Sequence, residues 1–177
     1  MELQELLRKR RSYRGMFTER KVTMEEMRLI IEAAFLAPTG CNLQSSRMIG
    51  VLDNEKVKRI AKIYGQEWAA TAPSCVVIAT KEMYRKDKGP SRHREDFGAA
   101  AQSLLLAVEN LGLATTWIQG QIENEKGKEI GSLLKVPEEY SVIGYFPIGE
   151  AEKETNGPKK MTFEERCFLD EFGKEFK

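Results

Sequence analysis

Three arginines and a serine stand close together near the start of the chain, in the run RRSYR at residues 10–14. Guanidinium groups offer paired planar donors and a serine hydroxyl adds one more, which is the set of donors that a phosphate monoester accepts. The run follows a predicted first helix, where cations also suit the helix dipole, so a solvated basic edge is the alternative. The sequence has no GxGxxG or GxxxxGK[ST] loop that would cradle a phosphate in another way.

A second run, LAPTGCNLQSS at residues 36–46, places amides and hydroxyls directly after an apolar helix. Asn42 and Gln44 each carry a paired donor and acceptor, which suits hydrogen bonding along the edge of a heterocycle such as a flavin or a base. If the segment is extended, their spacing turns both amides to the same side. The alternative is that Pro38, Thr39 and Gly40 end the helix and the amides decorate an exposed turn.

Alternating helices and strands must position these two runs. We predict an N-terminal helix over 2–10, a second helix from a capping box at Thr23 and Glu26 to Pro38, and later helices over 54–64, 94–113 and 126–136. Short β-rich runs predict strands over 48–52, 74–80, 114–118 and 141–150. Strand 74–80 looks buried on both faces, and the small residues and leucines of 94–113 indicate a core helix. An α+β fold follows, with helices on both faces of a small sheet.

The length of 177 residues, with 41% hydrophobic and 31% charged content, indicates one domain over 1–177. Its tail, 151–177, is too polar to build its own core, but aromatic residues such as Phe163, Phe168 and Phe172 predict that it packs on its own domain or on a partner chain. A net charge of +1 gives no overall attraction for nucleic acid or anionic lipid.

The sequence shows neither the apolar core of a signal peptide nor a run long enough to span a membrane, so we expect a cytoplasmic protein. Its three cysteines, Cys41, Cys75 and Cys167, are widely spaced, and His93 is the one histidine, which argues against a disulfide framework and a zinc site. We expect reduced thiols, with Cys41 as a small buried side chain. We expect His93 to be a solvated residue in the polar stretch 81–95, which reads as a loop.

The chain resembles the FMN-dependent nitroreductase family in four segments that occur in the right order. They are RRSYR, EAAFLAPTGCNLQ, DFGAAAQSLLLAVENLGLATTWI and IGYFPIGE. The resemblance implies a nitroreductase-like α/β sandwich, FMN as cofactor and an intertwined homodimer with FMN at the subunit interface. It also implies ping-pong oxidation of NADH or NADPH and reduction of nitroaromatic, quinone or related small electrophilic acceptors. The alternative is a flavin carrier or sensor without efficient NAD(P)H turnover.

The resemblance also implies which residues contact the cofactor, and it requires no side chain to act as a nucleophile or general base. Arg10, Arg11 and Ser12 match positions that hold the FMN phosphate and ribityl chain, and Arg14 matches a basic position near the pyrimidine side of the ring. The segment that contacts the isoalloxazine across the dimer interface is matched by Pro38, Thr39, Gly40, Asn42 and Gln44. Gln119 and Gly120 match the loop near flavin N5. Arg166 matches a tail arginine that returns to the phosphate, with Lys159 and Lys160 as competitors.

Two features concern the substrate side. The family usually continues after its Asn-x-Gln element with proline and an aromatic or small residue, whereas Ser45, Ser46 and Arg47 follow here, which affects the shape of the substrate face. The composition of 81–95 is that of a mobile segment, and the resemblance implies that Tyr84 and Arg85 touch substrate; an exposed connection is the alternative.

Overall fold

The structure is a computed structural model that describes residues 2–85 and 89–176. Its helices are α1 (Leu3–Lys9), α2 (Met24–Phe35), α3 (Asn54–Tyr64), α4 (His93–Asn110), α5 (Glu125–Leu134) and α6 (Phe163–Arg166). Its strands are β1 (Ser46–Val51), β2 (Ser74–Thr80), β3 (Tyr84–Arg85), β4 (Gly89–Pro90), β5 (Ala114–Thr115) and β6 (Ser141–Gly149). Two short 3₁₀ turns cover Gly40–Asn42 and Glu67–Thr71.

Four strands form one antiparallel sheet in the order β1-β2-β6-β5, while β3 and β4 pair as a separate small hairpin. The β2–β6 register shifts by one residue, because Ile78 lies opposite Gly144 whereas Ala79 lies opposite Val142. Ile143 is therefore the extra residue of a β-bulge, which bends the strand locally. A Cβ at Gly144 would collide with the ring of Phe97 from α4, so only glycine allows the helix to pack this closely.

Helices cover both faces of this sheet. All seven residues of β2 are buried, because alternate side chains face opposite layers of helices. Toward α2 and α4 the core contains Met27, Ile30, Val76, Ile78, Phe97, Leu104 and Phe146. Toward α3 and α5 it contains Val57, Ile60, Cys75, Val77, Ile130 and Tyr145. The predicted α+β architecture, the doubly buried strand and the core helix are thus confirmed.

Most predicted boundaries agree with the structure to within a few residues. The capping box of α2 is present, with the Thr23 side chain accepting from the Glu26 N–H and Glu26 accepting from the Thr23 N–H. The predicted strand over 114–118 is too long, since only β5 joins the sheet continuously and Ile118 returns to it through an isolated bridge with Tyr145. The stretch 81–95 is not only a loop, because it contains the β3–β4 hairpin and the first residues of α4.

The tail after β6 is exposed along most of its described length. Thr162 and Glu165 form a second capping box at the start of α6, and aromatic side chains pair within the tail, Phe163 with Phe176 and Phe168 with Phe172. Phe172 is 95% exposed. The described tail therefore has local order but leaves apolar rings outside the core, and its packing on a partner chain stays a prediction.

Candidate functional site

The RRSYR run leaves α1 in a conformation fixed by its aromatic residue, Tyr13. Tyr13 is buried, its ring packs edge-on against Phe17 with centroids 5.1 Å apart, and its N–H donates to the Thr115 carbonyl at 2.9 Å. Ser12 and Arg14, on either side of this anchor, are exposed. The sequence therefore places two polar side chains on the surface by burying the aromatic ring between them.

The arginines of the run divide into two groups. The Arg11 guanidinium turns back and donates to the carbonyls of Arg8, of Lys9 at 3.1 Å and of Arg10 at 3.0 Å, so it caps the C-terminal end of α1. This is the helix-end role that was the alternative to phosphate binding. The side chains of Arg10, Ser12 and Arg14 make no hydrogen bond or ion pair with the residues that the structure describes. These three side chains keep their donors available for a ligand.

Tyr64 of α3 interacts with the 119–123 loop and with the charge of Arg14. Burial raises the pKa of Tyr64 above its ordinary value of 10.0, and the Arg14 charge acts on it in the opposite direction. The Tyr64 hydroxyl donates to Gln121 Oε1 at 2.7 Å. The loop is thus joined to Tyr64 of α3. A Cβ at Gly120 would meet no atom within 4 Å, so the loop opens onto space at that residue.

Glu123 fixes the side chain of Gln119. Its Oε1 accepts from Gln119 Nε2 at 3.1 Å and from Arg94 Nη1 at 3.2 Å. Because the amide nitrogen is engaged, the Gln119 carbonyl oxygen points away from that bond and is the atom left for a ligand donor. Arg94 lies in the first turn of α4, so this helix is tied to the loop.

The amide segment, residues 40–45, is not extended. The expectation that Asn42 and Gln44 point to the same side required an extended chain, so it does not hold. Cys41, Asn42 and Gln44 all have positive φ, at 55°, 56° and 50°. Left-handed conformations cost about 1–2 kcal/mol for residues with a Cβ, so the turn needs support from outside. Both amide side chains are exposed. Cys41 is also exposed, and the expectation of a buried thiol was wrong.

Asp96 supplies that support, and sequence reasoning missed it. Its carboxylate is 4% exposed and accepts from the Gly40 N–H at 2.7 Å and from the Ser45 hydroxyl at 3.1 Å. The signal was present in the sequence, since Asp96 lies one helical turn before the buried Ala100 on the same stripe of the core helix. A carboxylate on that stripe must be buried and must therefore find donors.

Other predicted site residues are less connected. Pro38 is exposed and Thr39 is half-buried, where the Thr39 Oγ1 accepts from the Gln44 N–H at 3.2 Å.

Arg166 is exposed, and among the described residues none of its hydrogen bonds reaches the RRSYR run. The tail does return to that run at Gly157, where an added Cβ would lie 2.5 Å from Arg11 Cδ. Lys159 and Lys160 follow within three residues, so their competition with Arg166 stays open.

The substrate-side predictions meet mixed outcomes. His93 is not a solvated loop residue but the first residue of α4, with a buried Nδ1 that has no partner in the described ranges. Tyr84 is highly exposed on the β3–β4 hairpin, and the side chain of Arg85 lies outside the described residues. Arg47 donates to the Gln44 carbonyl at 2.7 Å and stacks over the Tyr140 ring, so it braces the end of the amide segment.

The sequence profile of the nitroreductase family matches the chain over residues 7–69 and 60–150. The chain therefore belongs to the nitroreductase family. An Archaeoglobus fulgidus protein named for NADH dehydrogenase and NAD(P)H nitroreductase activity is 30% identical over 143 residues, 79% of this chain and 80% of the relative. A Bacillus subtilis protein named FMN reductase (NADPH) is 24% identical over 173 residues, 86% of this chain and 69% of the relative.

Solved structures agree with this assignment. An FMN-dependent nitroreductase from Clostridium difficile is 28% identical, with a TM-score of 0.78 over 96% of this chain and 100% of that one. The NADPH:FMN oxidoreductase of Vibrio harveyi, solved with NAD⁺, has a TM-score of 0.79 at 23% identity over 98% of this chain and 79% of its own, which supports the fold. Within residues 2–85 and 89–176, no helix combines the length and apolar character needed to cross a membrane.

Proposed function

We propose that this chain is an FMN-dependent oxidoreductase that takes electrons from NADH or NADPH and reduces nitroaromatic, quinone or related small electrophilic acceptors. Relatives named FMN reductase, NADPH-flavin oxidoreductase and NAD(P)H nitroreductase support this activity. The observation that carries it is the set of uncommitted donors on Arg10, Ser12 and Arg14. FMN, when bound, supplies the redox chemistry by accepting a hydride and returning the electrons to the acceptor.

The residues present fit such a cofactor. Arg10 and Ser12 would hold the phosphate, since guanidinium and hydroxyl donors are the groups that recognise a phosphate monoester. Arg14 would face the pyrimidine side of the ring, where a fixed cation stabilises negative charge that develops on reduction. Gln119 would offer its carbonyl oxygen to a ring N–H, because Glu123 already holds its amide nitrogen. Gly120 would let the ring approach the backbone.

We also propose that the active form is a homodimer with its flavin sites at the subunit interface. Large apolar side chains stay exposed on the outer surface of α2 and at its end, among them Met24, Phe35 and Leu36. The tail adds Phe163 and Phe172. Monomers rarely leave so many large apolar groups exposed, and a partner chain would cover them. In this arrangement Asn42 and Gln44 would contact the flavin bound by the other subunit. The three free cysteines fit a cytoplasmic location.

An absorption spectrum of the purified protein, followed by anaerobic addition of NADH or NADPH, tests the activity. We expect flavin bands that bleach with either nucleotide, and the faster donor identifies the preference. Bands that persist would mean a carrier or sensor without turnover. A colourless protein that also fails to take up added FMN would refute the cofactor assignment.

The phosphate site has its own test. Arg10→Ala should lower FMN retention sharply while leaving the fold of the FMN-free protein intact, because the Arg10 side chain contributes no hydrogen bond or ion pair within the described part of the chain. Arg8→Ala is the matched control, since Arg8 is an exposed arginine two residues earlier, in the last turn of α1. Equal flavin content in the two variants would contradict the assignment.

A further inference from the structure

Asp96 connects both ends of the amide segment to the core. It lies in the first turn of α4, and one carboxylate oxygen serves each end, Oδ1 accepting from Gly40 at 2.7 Å and Oδ2 from Ser45 at 3.1 Å. Ser45 is itself almost fully buried, and Thr80 at the end of β2 adds a longer contact of 3.4 Å to its carbonyl. A buried carboxylate whose oxygens both accept from one loop closes that loop on itself.

The chain between these two anchors needs such a clamp. Three residues, Cys41, Asn42 and Gln44, have left-handed backbone conformations, which side chains with a Cβ disfavour. Inside the loop, Thr39 accepts from the Asn42 N–H at 3.0 Å and from the Gln44 N–H at 3.2 Å. These local bonds do not tie the loop to the core. Its C-terminal end has further anchors, since Arg47 donates to the Gln44 carbonyl at 2.7 Å and the Lys81 N–H donates to the Ser45 carbonyl at 3.3 Å, so the Gly40 end depends most on Asp96. Without an external anchor, the segment would relax toward the extended conformation that its residue types prefer.

We propose that Asp96 is a positioning residue that holds loop 40–45 in one conformation, so that the exposed amides of Asn42 and Gln44 are presented to the flavin ring. The ligand in this statement rests on the proposed function, whereas the clamp depends only on the contacts of Asp96. Arg94, in the same helical turn, reaches Glu123 and through it Gln119. One turn of α4 thereby sets the geometry of two segments of the site.

Amide hydrogen exchange of the FMN-free protein tests the clamp. We compare Asp96→Ala and Asp96→Asn with Glu95→Gln as the control. Glu95 is exposed, and its substitution removes the same charge from the same helical turn without touching the loop bonds. Exchange at residues 39–45 should rise by about tenfold or more in Asp96→Ala, because two charge-assisted hydrogen bonds are lost. The rise should be smaller in Asp96→Asn, which retains one acceptor, and β2 should not change. No rise in the loop, or an equal rise in β2, would overturn the clamp.

The dissociation constant of FMN then tests what the clamp is for. We expect it to increase about tenfold in Asp96→Ala and less in Asp96→Asn, with Glu95→Gln like the wild type. A loosened loop with unchanged FMN affinity would overturn the role of Asp96 in the flavin site. If the wild type binds no FMN, the proposed function fails while hydrogen exchange still decides the clamp. Ser45→Ala, which removes one of the two bonds, gives an intermediate response and replaces Asp96→Ala if that variant does not fold.

Discussion

Gly120→Ala asks directly whether a bound flavin occupies the open space at Gly120. The new methyl group would meet no protein atom within 4 Å, and Gly120 is not among the glycines with positive φ. The variant should therefore keep its stability or gain about 0.4–1 kcal/mol, because alanine restricts the unfolded chain more than glycine does. For a chain of this length, such a gain corresponds to an increase in Tm of at most about 4 °C.

The same methyl group should weaken FMN binding if the ring packs against the backbone there. Forcing an extra carbon into a filled contact costs about 1–3 kcal/mol. At about 1.4 kcal/mol per tenfold change, the dissociation constant should rise about 5- to 150-fold. Titration of the FMN-free protein with FMN, followed by flavin fluorescence, measures it, and thermal unfolding confirms the fold.

Gly131→Ala is the matched control, because it adds the same group inside α5, where it makes ordinary contacts at 3.6 Å with Val142 and 3.7 Å with Val136. We expect its FMN affinity to equal that of the wild type. If Gly120→Ala folds normally and binds FMN as tightly as the control, the flavin does not lie at Gly120 and the reasoning is refuted.

Three further changes test the fold and the assembly. The Thr23 N–H, with a smaller contribution from Arg20, holds the pKa of Glu26 below its ordinary value of 4.5. Because the charged carboxylate stabilises the folded state, Glu26→Gln should lower Tm at neutral pH. This difference in Tm should shrink as pH falls below 4.5, where Glu26 becomes protonated. Gly144→Ala should destabilise the protein by about 1–3 kcal/mol in urea unfolding, because its methyl group collides with Phe97. Phe172→Ser should weaken the dimer in sedimentation experiments without lowering helix content, since the ring is 95% exposed in one chain.

Each of these has a result that would contradict it. Glu25→Gln, on an exposed neighbour in the same helical turn, is the control for Glu26, and an equal pH dependence in both variants would remove the role of the capping box. For Gly144, stability equal to that of Gly131→Ala would show that the bulge tolerates a side chain. For Phe172, an unchanged dimer dissociation constant would show that the tail ring does not reach the partner.

Periodicity was sufficient to predict the framework of this fold. The capping box at Thr23, the apolar spacing of α2 and the apolar centre of β2 are local patterns, and the structure confirms the elements predicted from all three. The β3–β4 hairpin was missed because each of its strands has only two residues, too few for a helical or a strand period to appear. Strand 114–118 was predicted too long because apolar residues continue after β5, although the chain leaves the sheet and returns at Ile118.

The shape of the amide segment could not be predicted from its own residues. Asparagine tolerates a left-handed backbone, but cysteine and glutamine do not favour it, so local preference alone predicts an extended chain for Cys41 and Gln44. The conformation is imposed by Asp96, which lies 56 residues beyond Gly40 in the sequence and meets it only when α4 packs in the core. A long-range hydrogen bond of this kind leaves no periodic signal, even though the buried position of Asp96 does.

In the arginine run, the residue types indicated the chemistry, but they did not indicate which arginine has which role. Arg10 and Arg11 are chemically identical neighbours, and the family resemblance places both at the FMN phosphate. The structure separates them: the Arg11 guanidinium caps the carbonyls that end α1, while the buried Tyr13 ring turns Ser12 and Arg14 outward and leaves their donors unused by the described residues. Which arginine is engaged by the helix end and which keeps its donors unused is thus decided by where the helix ends and which ring is buried, both of which are properties of the folded chain.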